Sequence, residues 1–112
     1  MEIKIATDFS RIPGARVPEE GDYPGIQFRQ EILLPKLKEA IEKNQKLVID
    51  LDGTAGLGTS FLEESFGGLI RTDKLDYHTV IKTLEFVSID DPDYIDEIMD
   101  YLKEAYEQRN NN

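Results

Sequence analysis

Cysteine is absent from the 112-residue chain, which excludes a disulfide framework, a thiolate zinc site and a cysteine nucleophile. The absence also fits a reducing compartment, so a cytoplasmic location is expected. Histidine occurs once, at His78. Any histidine-based metal site or Ser–His–Asp arrangement has to be built around it, and beside Tyr77 it reads as a surface or interface residue. No apolar run is long enough to cross a bilayer, and Met1 to Phe9 lacks the basic-then-apolar order of a signal peptide. Positive charge is scarce as well. Lys and Arg total 13 against 23 Asp and Glu, a formal net charge of −10, with no Lys/Arg run to concentrate the cations. Such a field repels phosphate backbones and anionic lipid heads. Neither nucleic acid nor a membrane is an expected partner; a protein with a basic surface is.

What remains is a globular composition, 39% hydrophobic and 32% charged, of a length that suits one domain. The domain is expected over residues 1–107, with a polar tail at 108–112. Glu2-Ile3-Lys4-Ile5-Ala6 alternates in polarity and reads as a strand. A long loop follows, about Asp8 to Gly25, rich in Pro and Gly and carrying Arg11 and Arg16. Loops of that length in a small domain are usually functional or disordered. From Ile26 to Asn44 the spacing of Ile26, Leu33, Leu37, Ala40 and Ile41 predicts a helix. Pro35 should kink it near Leu33, or make it begin at Leu34. Asn44 is a suitable stop.

Leu47-Val48-Ile49 and Leu51 form a β-branched apolar run of the kind buried on both faces of a sheet. Gly53, Gly56 and Gly58 then mark a tight loop, and helical spacing resumes at Phe61. Gly67-Gly68 weaken that helix, and the expected return is close packing of its backbone on the sheet. Asp76 to Lys82 reads as a short helix or turn, and Leu84 to Ile89 as a strand. Asp91, Pro92 and Asp93 then open a last helix, whose stripe is Ile95, Ile98, Met99, Leu102, Ala105 and Tyr106. Alternation of this kind predicts an α/β fold, a small mostly parallel or mixed sheet of about four strands with helices packed on it.

The segment from Leu47 to Arg71 carries most of the functional information. A buried strand ends in a glycine loop, and Thr59 and Ser60 open the next helix. Ligand and partner sites in open α/β sheets gather beyond the carboxyl ends of strands, and a helix start favours bound or attached phosphate. Ser60 and Glu63 have the spacing of a capping box, which leaves the Thr59 hydroxyl unused by the helix. The loop is not a P-loop, since no Gly-Lys-Ser/Thr follows, and Gly56-x-Gly58 lacks the third glycine of a dinucleotide fingerprint. Asp50 and Asp52 point the same way along their strand. They read as a Mg²⁺ pair lacking a third ligand, or as ordinary loop-stabilising aspartates. Arg11 and Arg16 suit either a phosphate near Thr59 or neighbouring carboxylates.

The strand–loop–helix segment resembles the STAS-like family, small domains related to bacterial anti-sigma-factor antagonists. More narrowly, Phe9-Ser10-Arg11-Ile12-Pro13-Gly14-Ala15-Arg16 together with Gly58-Thr59-Ser60-Phe61-Leu62-Glu63-Glu64-Ser65-Phe66-Gly67-Gly68-Leu69 resembles a STAS-like branch of unassigned function. The resemblance extends to Leu84-Glu85-Phe86-Val87. It implies a STAS-like fold and a non-catalytic regulatory domain that needs no cofactor or metal. In antagonist relatives a serine at the start of this helix is phosphorylated by a histidine-kinase-like ATPase, and the phosphate blocks binding to that kinase. The matching positions are Thr59 and Ser60. Those relatives usually carry an aspartate before the acceptor, where this chain has Gly58.

The expected function is therefore a protein-interaction domain, with Thr59 and Ser60 as candidate phosphoacceptors and Arg11, Arg16, Gly56, Gly58 and Glu63 as candidate partner- or anion-binding residues. An ATPase/kinase-type protein is the expected partner, and self-association is left open. The alternative is a small-anion or nucleotide sensor using the loop before Thr59. A hydrolase lacks a complete set of nucleophile, base and oxyanion donors.

Overall fold

Three strands, β1 (Glu2–Lys4), β2 (Leu47–Asp50) and β3 (Leu84–Val87), form a parallel sheet in the order β1-β2-β3. The computed structural model describes residues 1–110. The class is the α/β one expected, with three strands rather than about four. β1 is shorter than its alternation suggests. Residues Ile5–Asp8 turn into a single helical turn, α1, as the Asp8 carboxylate accepts from the Lys4 amide at 2.8 Å.

Register places Ile3, Ile49 and Phe86 in one row, and Leu47 beside Leu84 in the next. This face joins the core. The other face carries Glu2, Val48 and Glu85 in one row and Lys4, Asp50 and Val87 in the next. Leu47 and Ile49 are fully buried while Val48 and Asp50 are only half-buried. The expectation that β2 is buried on both faces is thus corrected: its apolar run is interrupted on the side where the Lys4 ammonium meets the Asp50 carboxylate at 3.3 Å.

The helix between β1 and β2, α2, spans residues 25–42 without a break. It is built from Gly25–Phe28, a wide π-turn at Arg29–Leu33, and Leu34–Glu42. Pro35 explains the widening. It has no N–H to donate back one turn and its ring crowds the carbonyl there; a π-turn absorbs such a misfit. The helix therefore neither breaks nor starts afresh at Leu34. It ends at Asn44 in left-handed geometry, φ 54°, with the Gln45 amide donating to the Ala40 carbonyl.

Between β2 and β3, helix α3 covers residues 59–71 with a second π-turn at Glu63–Gly67, and α4 follows at Tyr77–Thr83. Asp76 caps α4, accepting from the Thr79 amide at 3.0 Å and its hydroxyl at 2.9 Å. The last helix, α5 (Asp93–Asn110), packs on α3 and α4 through Ile98, Leu102 and Ala105. Its entry is fixed by Asp91, whose side chain accepts from the Asp93 amide at 3.1 Å, with Pro92 preceding the first helical residue. The tail expected from residue 108 is helical as far as Asn110, and Asn111 and Asn112 lie outside the described residues. Among those described, no helix is long and apolar enough to cross a membrane.

Candidate functional site around the glycine loop

The carboxyl ends of β2 and β3 are laced together by aspartates. Asp52 accepts from the amides of Ile89 (3.1 Å) and Asp90 (2.9 Å), and Asp90 returns a bond from the Gly53 amide at 3.1 Å. Asp50 accepts from the Asp52 amide at 2.9 Å. These carboxylates stabilise the loop, as strand-end aspartates commonly do, and among the described residues no three metal-type ligands converge. Gly53 sits at φ 90° and Gly56 at φ 157°. The first lies in the region that glycine alone enters freely, so the sharp exit from β2 depends on it.

Two further amides of the loop are held by residues outside it. The Ala55 amide donates to the Arg11 carbonyl at 2.7 Å, and the Leu57 amide to the Tyr94 hydroxyl at 3.1 Å. Gly56 and Gly58 are exposed with open space around them. Residues 53 to 58 are therefore tied down by residues 11, 90 and 94.

α3 opens at Gly58, its N-cap, without a side-chain cap. The expected Ser60–Glu63 capping box does not form. Glu63 is drawn away by two guanidiniums: Arg16 donates to it at 2.5 Å and Arg71 at 2.6 and 3.2 Å. Charge-assisted bonds of this type outcompete a neutral cap. Burial acts to raise the Glu63 carboxyl, but the bonds from Arg71 and Arg16 prevail and hold it below the ordinary 4.5. Arg16 thus takes the carboxylate alternative, with Glu64 a further 3.8 Å contact, and its own pKa is raised chiefly by the bond to Glu63. Arg11 is exposed and forms no ion pair among the described residues.

Thr59 is exposed, and Ser60 is half-buried. The Thr59 hydroxyl donates to Glu97 Oε1 on α5 at 3.2 Å, and the Tyr101 hydroxyl donates to the same oxygen at 2.6 Å. Tyr101 is shifted upward, first by burial and then by this bond. One carboxylate oxygen thus couples the start of α3 to the middle of α5. His78 lies elsewhere, edge-on to the rings of Tyr77 and Tyr106 on α4 and α5.

Two apolar residues that sequence reasoning did not single out flank the loop. Ile12 is 65% exposed and Ile89 81%. The first adjoins the Arg11–Ala55 bond, the second the Asp52 and Gly53 bonds. For Ile12 the signal was available in its turn-rich surroundings, whereas Ile89 reads as the end of the strand expected over Leu84 to Ile89, which stops at Val87. The segment carrying Ile12 is held in place from behind. Phe9 packs against Tyr23, Phe28 and Phe61 at 5.4–6.1 Å between centroids, and the Gly14 amide donates to Tyr23 at 2.8 Å.

Further along α3 lies a buried ionic lock. Arg29, 1% exposed, donates to Glu64 at 2.9 Å and lies 3.2 Å from Asp73 through Nε, out of line for a hydrogen bond. It fills the space where Gly68 would carry a Cβ, while the Glu63 carboxylate fills that beside Gly67. The glycine pair therefore faces two side-chain charges; the expected packing of helix backbone on the sheet is corrected accordingly.

A family model described as "STAS-like domain of unknown function (DUF4325)" matches residues 24–94. No curated protein and no solved structure matches the chain.

Proposed function

For a chain that belongs to this STAS-like family, we propose a regulatory protein-interaction domain that catalyses no reaction itself and binds a protein partner through the rim around residues 53–60. The supporting observation is that two exposed isoleucines, Ile12 and Ile89, flank the loop that leads to the exposed Thr59 hydroxyl. Large exposed apolar side chains rimmed by polar groups mark interaction surfaces. Here the rim is acidic, with Asp90, Asp93 and Asp96 exposed after Ile89, so the partner surface is apolar with a basic border. An ATPase/kinase-type protein is the partner class that the family resemblance implies.

In this reading Thr59 is the preferred phosphoacceptor, because Ser60 is half-buried. The γ-phosphoryl of a nucleoside triphosphate bonds to Oγ1, the nucleoside diphosphate leaves, and the hydroxyl proton is released. About two negative charges then stand where a hydroxyl donated to Glu97. The phosphate and the Glu97 carboxylate repel one another, and the acidity of the rim rises. Both effects weaken a complex with a basic-bordered partner.

The test is the affinity of the purified partner for the wild type and for Thr59→Glu/Ser60→Glu, with stability measured in parallel. Weakened binding by a folded double variant supports the switch. Unchanged affinity rejects it.

A further inference from the structure

A second candidate site lies at the far end of α3. Two adjacent depressions of about 240 and about 290 Å³ lie between the 72–76 turn and the end of α5, and both are lined by Lys74 and Arg109. Arg71 borders one; Asp76, Tyr77 and Tyr106 border the other.

Charge makes this groove unusual for a molecule of formal net charge −10. The nearby acids are already engaged. Asp73 lies against Arg29, Glu63 is shared by Arg71 and Arg16, and Asp76 caps α4 through Thr79. Among the described residues Arg109 donates to the Leu75 carbonyl at 3.3 Å, and its charge also acts on Asp76, which lines the same depression. Among the described residues, neither Lys74 nor Arg109 has a carboxylate within salt-bridge distance. Two cations from different elements thus converge on one depression.

Backbone geometry adds an independent observation. Lys74 is held at φ 60°, in the left-handed region where a helix end normally places glycine. A lysine there is strained, and such strain concentrates where a side chain is needed. The wall beside it is aromatic: Tyr77 and Tyr106 stack at 4.5 Å with 12° between planes.

The geometry points to a binding site for a small phosphate monoester, its phosphate bridging Lys74 and Arg109 and its body lying along Tyr77 and Tyr106. The size of the depressions, at or below the lower end of small-molecule pockets, suits a ligand of nucleoside-monophosphate size. This site lies at the opposite end of α3 from the Thr59 rim and does not depend on the protein-binding reading.

Amide NMR titration at constant ionic strength tests it, with inorganic phosphate and adenosine monophosphate as probes and sodium chloride as the control. Saturable shifts at residues 74–77 and 106–110, produced by either phosphate probe and not by chloride, are expected. Tighter binding of the nucleotide than of phosphate supports the tyrosine wall; equal affinity overturns it. The exposed pair Lys74→Gln/Arg109→Gln should lose at least tenfold in affinity with an unchanged melting temperature, and Lys38→Gln, at an exposed position on α2, should lose nothing. Non-saturating shifts, shifts centred on residues 53–60, or a double variant that binds like wild type would overturn the assignment.

Discussion

Arg29 lies across Gly68, its guanidinium occupying the space that any larger residue would need for Cβ. Two π-turns meet there, one in α2 and one in α3, and the ion pair with Glu64 spans 35 residues of sequence. Gly68→Ala should therefore cost about 1–3 kcal/mol through overpacking. Arg29→Ala should cost more, about 3–5 kcal/mol, because Asp73 would lose its counter-charge and Glu64 would keep only the longer contacts to Arg16 and Arg71. Urea denaturation of the two variants checks both the magnitudes and their order.

Ser60→Ala distinguishes the observed helix start from a capping box. A lost cap of that kind costs about 1 kcal/mol. With Glu63 committed to Arg16 and Arg71, the substitution should cost less than about 0.5 kcal/mol, measured by the same denaturation.

The bond from Thr59 to Glu97 gives a second double-variant test. Thr59→Glu sets two carboxylates against each other and should destabilise the docking of α5 on α3, and Glu97→Gln should restore it. Amide exchange along α5 reads the docking directly. A Thr59→Glu protein whose α5 protection matches wild type would show that the coupling carries no energy.

Lys74→Gly should raise stability by about 1 kcal/mol by relieving the left-handed backbone. The same substitution should weaken phosphate binding, which separates the strain at this position from its use.

Acid sensitivity follows from Glu63. Its folded pKa is depressed below the unfolded value near 4.5. Its contribution to stability is fully present above that value and is lost as pH falls through the lower folded one. Glu63→Gln should therefore show a shallower loss of stability below about pH 4.5 than wild type, read as the urea midpoint against pH.

Much of the fold was legible because it depends on local pattern. The apolar run at Leu47 to Ile49, the stop at Asn44 and the stripe of α5 all express the period of their own element. The start of α3 beside a glycine loop was legible for the same reason. Missed features depend on distant partners. Arg29 stands four residues before Leu33, on the apolar face of α2, and its position there was the available sign that it is buried. The π-turn shifts the phase of that face, so that Phe28 is buried and Ile26 only half so. Glu63 looked like a capping residue because local spacing cannot reveal Arg16, 47 positions away.

In the proposed function the face around Ile12, Ile89 and Thr59 meets a protein partner. The direct measurement places a photo-crosslinking residue at Ile89, with a control at His78, then determines the affinity of the captured, purified protein for Ile89→Asp. Capture of an ATPase/kinase-type protein from Ile89 but not from His78, with binding at least tenfold weaker to Ile89→Asp, is the result expected. Equal capture from both positions, or full affinity for the variant, would contradict the claim.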